Sequence, residues 1–181
     1  MDNNRPTVHI VDDNDAVRNS IGMSLSVKGY VVKEYESASA FLNDYNNEPG
    51  CLVADIQMPV MNGLELQQKL LKLKLHIPII FITGHGDIPM SVQAIKAGAV
   101  EFLEKPFERD KLIQCVDSAL QKDARQQELK HDYLEISQRL STLTKREREV
   151  LEHLVKDNAS LTNKDISEKL GISKHTIEVL F

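Results

Sequence analysis

The sequence has no tryptophan and only two cysteines, Cys51 and Cys115, among its 181 residues. Each cysteine sits inside an apolar stretch, which reads as two buried reduced thiols rather than a disulfide or a metal pair. No apolar run approaches the roughly 20 residues of a membrane-spanning helix. The polar opening Met1–Pro6 lacks the apolar core of a secretory leader. These absences predict a cytoplasmic protein with no membrane partner. Six histidines are scattered without the short spacing of a metal-ligand set. A basic surplus is missing too. The net charge is −5, all of it within residues 1–120, while residues 121–181 balance 11 Lys and Arg against 11 Asp and Glu. Nucleic-acid binders usually carry a basic footprint, so charge alone gives that function little support.

What is present is an alternation of two periods over the first 120 residues. Thr7 to Val11 is a β-rich run that ends at the acid pair Asp12-Asp13. A helical pattern follows, with Val17, Ile21 and Leu25 four apart and Gly29 as the stop. Strands are predicted at Tyr30 to Tyr35, Cys51 to Ala54, Pro78 to Ile82 and Val100 to Leu103. Helices are predicted at Ser37 to Tyr45, Leu64 to Leu75, Ile88 to Ala97 and Glu108 to Leu120. Five strand–helix units imply an α/β fold with a doubly wound five-stranded parallel sheet. In such sheets the site lies at the carboxyl ends of the strands. Asp12-Asp13, Asp55, Thr83 and Lys105 all follow or end strands, so the polar residues collect where a site belongs.

Three converging carboxylates, Asp12, Asp13 and Asp55, raise one another's pKa unless a cation intervenes. An all-oxygen donor set with few protein ligands suits Mg²⁺. Lys105 adds a fixed positive charge and Thr83 a hydroxyl. A carboxylate nucleophile beside a divalent cation and a lysine can accept a phosphoryl group. Taken singly, each residue has a plainer reading as a helix cap or a surface charge; the joint placement at strand ends outweighs it.

The motifs Val11-Asp12-Asp13, Asp55-Ile-Gln-Met58-Pro59-Val-Met61-Asn62-Gly63, Thr83-Gly84 and Lys105-Pro106-Phe107 resemble the receiver domain of two-component response regulators over about residues 5–122. The segment from Ile82 to Ala99 resembles the FixJ-like subgroup. The resemblance implies phosphorylation of Asp55 by a sensor histidine kinase. It implies Mg²⁺ on Asp12, Asp13, Asp55 and the Gln57 carbonyl, and phosphoryl contacts from Thr83 and Lys105. It also implies a switch aromatic at Phe102, a cis bond before Pro106, and Gln57 and His85 beside the water path. Phosphorylation is expected to produce a homodimer through the helices at 88–97 and 108–120 and the strand between them.

Residues 123–142 contain neither Gly nor Pro and read as a helical linker. Leu129, Tyr133, Ile136 and Leu140 form a stripe along it, either a short seam or a face resting on the protein's own surface. From Leu143 the motifs Leu-Thr-Lys-Arg-Glu-Arg-Glu-Val-Leu, Asn163-Lys-Asp-Ile and Leu170-Gly-Ile-Ser-Lys-His-Thr-Ile-Glu-Val resemble the LuxR/FixJ (NarL-type) helix-turn-helix. Thr144 and Glu147 form a capping box. The expected division is a receiver at 1–122, a linker at 123–142 and a partial all-α helix-turn-helix domain at 143–181. The resemblance makes Lys174, His175, Thr176 and Glu178 the promoter-DNA candidates. It breaks off after Val179, so a longer native chain is expected, with Leu180 and Phe181 foreign to it. The reading is a phosphorylation-switched transcription regulator and not a turnover enzyme. A carboxylate-nucleophile phosphatase of the haloacid-dehalogenase type needs a second Asp two residues after the first, where this chain has Gln57. An interaction protein that never reaches DNA is the other alternative.

Overall fold

Central strands that are apolar throughout must be covered on both faces, and this requirement organises the structure. The computed structural model describes residues 6–84, 92 and 94–148. The strands are β1 (Thr7–Val11), β2 (Val31–Tyr35), β3 (Gly50–Asp55), β4 (Ile79–Thr83) and β5 (Glu101–Glu104). They form one parallel sheet in the order β2-β1-β3-β4-β5. Every residue of β1, β3 and β4 is buried, whereas the edge strands β2 and β5 are mixed.

The two-residue period of the strands builds two cores. Leu52, Ala54, Ile79 and Phe81 face one side, with Phe41 of α2 (Ala38–Asp44) and Leu66 and Leu70 of α3 (Gly63–Lys72). Val8, Ile10, Val53, Ile80 and Ile82 face the other, with Ile21 and Leu25 of α1 (Asp15–Val27) and Leu112, Val116 and Ala119 of α4 (Arg109–Thr142). Cys51 and Cys115 are free and buried in this second core.

Side chains set the helix starts. Asn14 accepts from the Ala16 and Val17 amides, Ser37 accepts from Ala40, and Asn62 exchanges a reciprocal capping box with Glu65. Gly29, at φ +89°, supplies the left-handed turn that ends α1. The helix expected at 88–97 lies largely outside the described residues; residues 94–96 are helical and Gly98 follows at φ +96°.

The chain divides into two compact units, Met1–Glu128 and Leu129–Phe181. In the first, Asp123 is 4% exposed and accepts the Gly50 amide at 3.0 Å, tying α4 to the start of β3. The stripe positions Leu129, Tyr133 and Ile136 are exposed, and the side chain of Leu140 lies outside the described residues. Thr144 and Glu147 close their capping box, with the Thr144 amide donating to Glu147 at 2.7 Å. Lys174, His175, Thr176 and Glu178 lie outside the described residues, as does His85. No described helix is long and apolar enough to cross a membrane.

Candidate functional site

The sheet order reverses direction between β1 and β3, and the crevice beyond their carboxyl ends is where such folds place ligands. Asp12 follows β1 directly and Asp55 is the last residue of β3. Both carboxylates are nearly enclosed, at 3% and 7% exposure. Lys105, just past β5, bridges them: its Nζ lies 2.9 Å from Asp12 Oδ2 and 2.7 Å from Asp55 Oδ1. The second oxygens are also held. Asp12 Oδ1 accepts the Asn14 amide at 2.8 Å, and Asp55 Oδ2 accepts the Gln57 amide at 2.7 Å.

Burial raises the Asp55 pKa, opposed by the Lys105 hydrogen bond and reinforced by the neighbouring charge of Asp12. For Lys105, burial works against the charge, but hydrogen bonds to Asp55 and Asp12 outweigh it and its pKa rises. The ammonium therefore stays charged and acts as the internal counter-ion of the acid pair.

Local backbone geometry delivers Lys105 to this position. Its amide donates to the Thr83 carbonyl at 2.7 Å, pinning the end of β5 to the end of β4, and the Lys105–Pro106 peptide bond is cis. Thr83 is fully buried at the end of β4. Phe102 is half-buried on β5, paired in register with Phe81 and packed on the first core. Gln57 and Asp13 are exposed at the rim. The structure thus brings Asp12, Asp55 and Lys105 into direct contact, and leaves Asp13 beside them facing solvent.

Among the described residues, no three Asp, Glu, His or Cys side chains converge as a ready-made metal cage. Mg²⁺ does not require one. It commonly takes one or two carboxylates and completes its shell with water and substrate phosphate. Asp12 and Asp55, with Asp13 at the rim, match that donor chemistry.

Sequence reasoning missed one participant. Arg18 of α1 donates from Nη1 to the Asp12 carbonyl at 2.6 Å, and its side chain is only 13% exposed. The available signal was the Asp15–Arg18 pair, three apart in the first turn of the helix that follows the acid pair.

The family model for the response regulator receiver domain matches residues 8–117, and that for bacterial regulatory proteins of the luxR family matches residues 141–180. The chain belongs to the response regulators. It is 47% identical to the transcriptional regulatory protein FixJ of Rhizobium meliloti (strain 1021), across 96% of this chain and 84% of that protein. It is 41% identical to the response regulator protein TmoT of Ectopseudomonas mendocina, across 99% of this chain and 80% of that protein. Among solved structures, the response regulator StyR superposes with a TM-score of 0.82 at 42% identity, across 97% of this chain and 88% of that one. A receiver joined to a LuxR-family domain makes this response regulator a member of a transcription-regulator family of two-component systems rather than a turnover enzyme.

Proposed function

We propose that Asp55 is the phosphoryl acceptor through which a sensor histidine kinase controls this transcription regulator. The observation that carries the reading is the enclosed Asp55 carboxylate, held at 2.7 Å by Lys105 and flanked by Asp12 at the switch point of the sheet. A carboxylate oxygen of Asp55 attacks phosphorus, the bond from phosphorus to the donor histidine nitrogen breaks, and the departing imidazole takes up a proton. Lys105 neutralises charge on the transferring oxygens without needing to move far from its present contacts. Asp12 and Asp13, with Asp55 and the Gln57 carbonyl, hold Mg²⁺, which supplies further charge neutralisation on the phosphoryl oxygens.

Thr83 then meets the phosphoryl group, and Phe102 on the adjoining strand follows its displacement. The phosphoryl group favours only the state in which Thr83 and Lys105 both reach it, so phosphorylation shifts a pre-existing equilibrium. Its output is homodimerisation through the helices at 88–97 and 108–120 with β5 between them. The domain division that serves this is a receiver at 1–122, a helical linker at 123–142 and a helix-turn-helix domain at 143–181. There Lys174, His175, Thr176 and Glu178 contact promoter DNA in the cytoplasm.

Acetyl phosphate with Mg²⁺ tests the acceptor. Mass spectrometry should find one phosphoryl group on the parent and none on Asp55→Asn. Equal labelling of the variant, or undiminished labelling in excess chelator, would overturn the assignment of acceptor or cation.

A further inference from the structure

We propose that Arg18 is a positioning residue that aims the Asp12 carboxylate at the cation. The inference rests on the reading of Asp55 as a Mg²⁺-dependent acceptor and adds a determinant of cation affinity on the far side of the acid pair.

Asp12 belongs to no strand or helix, so something must fix its direction. Its amide donates to the Tyr35 carbonyl of β2 at 3.3 Å, and its carbonyl accepts from Arg18 Nη1 at 2.6 Å. The two contacts grip the residue's backbone from β2 on one side and α1 on the other. The side chain, anchored at Oδ1 by the Asn14 amide, presents Oδ2 to Lys105 at 2.9 Å.

Arg18 is itself held. Its Nη2 pairs with Asp15, and its Nε lies 3.9 Å from Glu34 Oε2 on β2. Glu34 reaches that position by lying across Gly22, one turn further along the same face of α1. A Cβ at residue 22 would sit 2.0 Å from Glu34 Oε1. The glycine therefore makes room for the carboxylate that braces the arginine. One planar guanidinium donates to the Asp12 carbonyl and to Asp15 and keeps Glu34 within ion-pair range, a fork an ammonium cannot reproduce.

Charge and position predict opposite outcomes, which makes the proposal decidable. Removing Arg18 removes a positive charge near the acid pair and leaves Asp15 and Glu34 uncompensated. By Coulomb's law alone the variant would bind Mg²⁺ more tightly. Loss of positioning predicts weaker binding, since partners that orient metal ligands are commonly worth about 10- to 100-fold in affinity.

The test is a Mg²⁺ titration of the full chain followed through backbone amide shifts of Asp12 and Asp13, with acetyl-phosphate labelling measured over the same concentrations. Arg18→Ala should raise the half-saturating Mg²⁺ concentration about tenfold, while the labelling rate at saturating Mg²⁺ stays near that of the parent. Arg18→Lys, which keeps the charge, should also shift the half-saturation upward. It carries the test alone if Arg18→Ala loses its thermal transition. Parent-like or tighter Mg²⁺ binding in either folded variant would overturn the proposal, as would a lowered labelling plateau with unchanged half-saturation. A parent that neither shifts with Mg²⁺ nor labels would instead sink the acceptor reading on which the proposal stands.

Discussion

A neutral histidine locked inside the first core makes a contribution to the receiver's stability that is lost as the solution is acidified from pH 6.5 to 4. His9 lies on β1 with its side chain fully buried among the rings of Tyr35, Phe41 and Tyr45, whose centroids are 5.9, 5.4 and 5.3 Å away. Tyr35 donates its hydroxyl proton to Asp44 at 2.7 Å, so the 3.3 Å contact with His9 Nδ1 leaves the imidazole as donor. That assigns the proton to Nδ1 and leaves Nε2 with no hydrogen bond, 3.5 Å from Glu48 Oε1. Lys33 already occupies Glu48 at 2.6 Å and lies 3.9 Å from Asp44. Burial dominates and lowers the His9 pKa from 6.5 to about 4, against the pull of Glu48 and Asp44 and with help from Lys33.

A folded pKa below the unfolded one means that the unfolded chain binds the proton first. The stabilisation is complete above pH 6.5 and is lost progressively as pH falls towards 4. At about 1.4 kcal/mol per pH unit, the separation corresponds to about 3 kcal/mol. Asp55 and Asp123, whose pKa values burial raises, act in the opposite sense. They are common to parent and variant, so they cancel in a comparison. Urea unfolding of the parent and His9→Leu should be followed at several pH values through tyrosine fluorescence. The chain has no tryptophan, and three of its four tyrosines, Tyr30, Tyr35 and Tyr45, lie in the first unit. The parent should lose about 3 kcal/mol more than the variant between pH 6.5 and 4. Parallel profiles would refute the argument.

Two further outcomes follow from single residues. Val60 is fully exposed at φ +68°, a conformation costly for a β-branched residue, so Val60→Gly should raise unfolding free energy by about 1 kcal/mol in urea denaturation, glycine's extra chain entropy included. Asp123→Leu should lower it by about 1–3 kcal/mol by stranding the buried Gly50 amide, and should speed hydrogen exchange at that amide and along the second half of α4.

Legibility in the sequence tracked the range of the interaction that decides each feature. The strands β1, β3 and β4 were readable because burial on both faces writes a continuous apolar run. Helix starts were readable only to within a residue or two. Ser37 and Asn62, placed inside or near their predicted helices, turn out to cap them from outside through hydrogen bonds to the third residue on. The acid pair, Asp55 and Lys105 stood out because a known sheet rule sends strand ends to one crevice. Their contacts span separations of 50 and 93 residues, which no local pattern encodes. Asp123 and His9 were invisible for the opposite reason. A lone Asp in a polar helix and a lone His in an apolar strand have ordinary local readings. Only the tertiary partners, the Gly50 amide 73 residues away and the Tyr35 hydroxyl 26 away, turn them into structural constraints. Arg18 falls between these cases. Its pairing with Asp15 is local and open to a helix-spacing rule, though the sequence reading passed over it, and its grip on the Asp12 carbonyl needs the turn that folds α1 back against β1. A motif therefore marks the groups that gather at the strand ends, whereas a contact such as that of Arg18 with the Asp12 carbonyl emerges only once the turn between strand and helix is built.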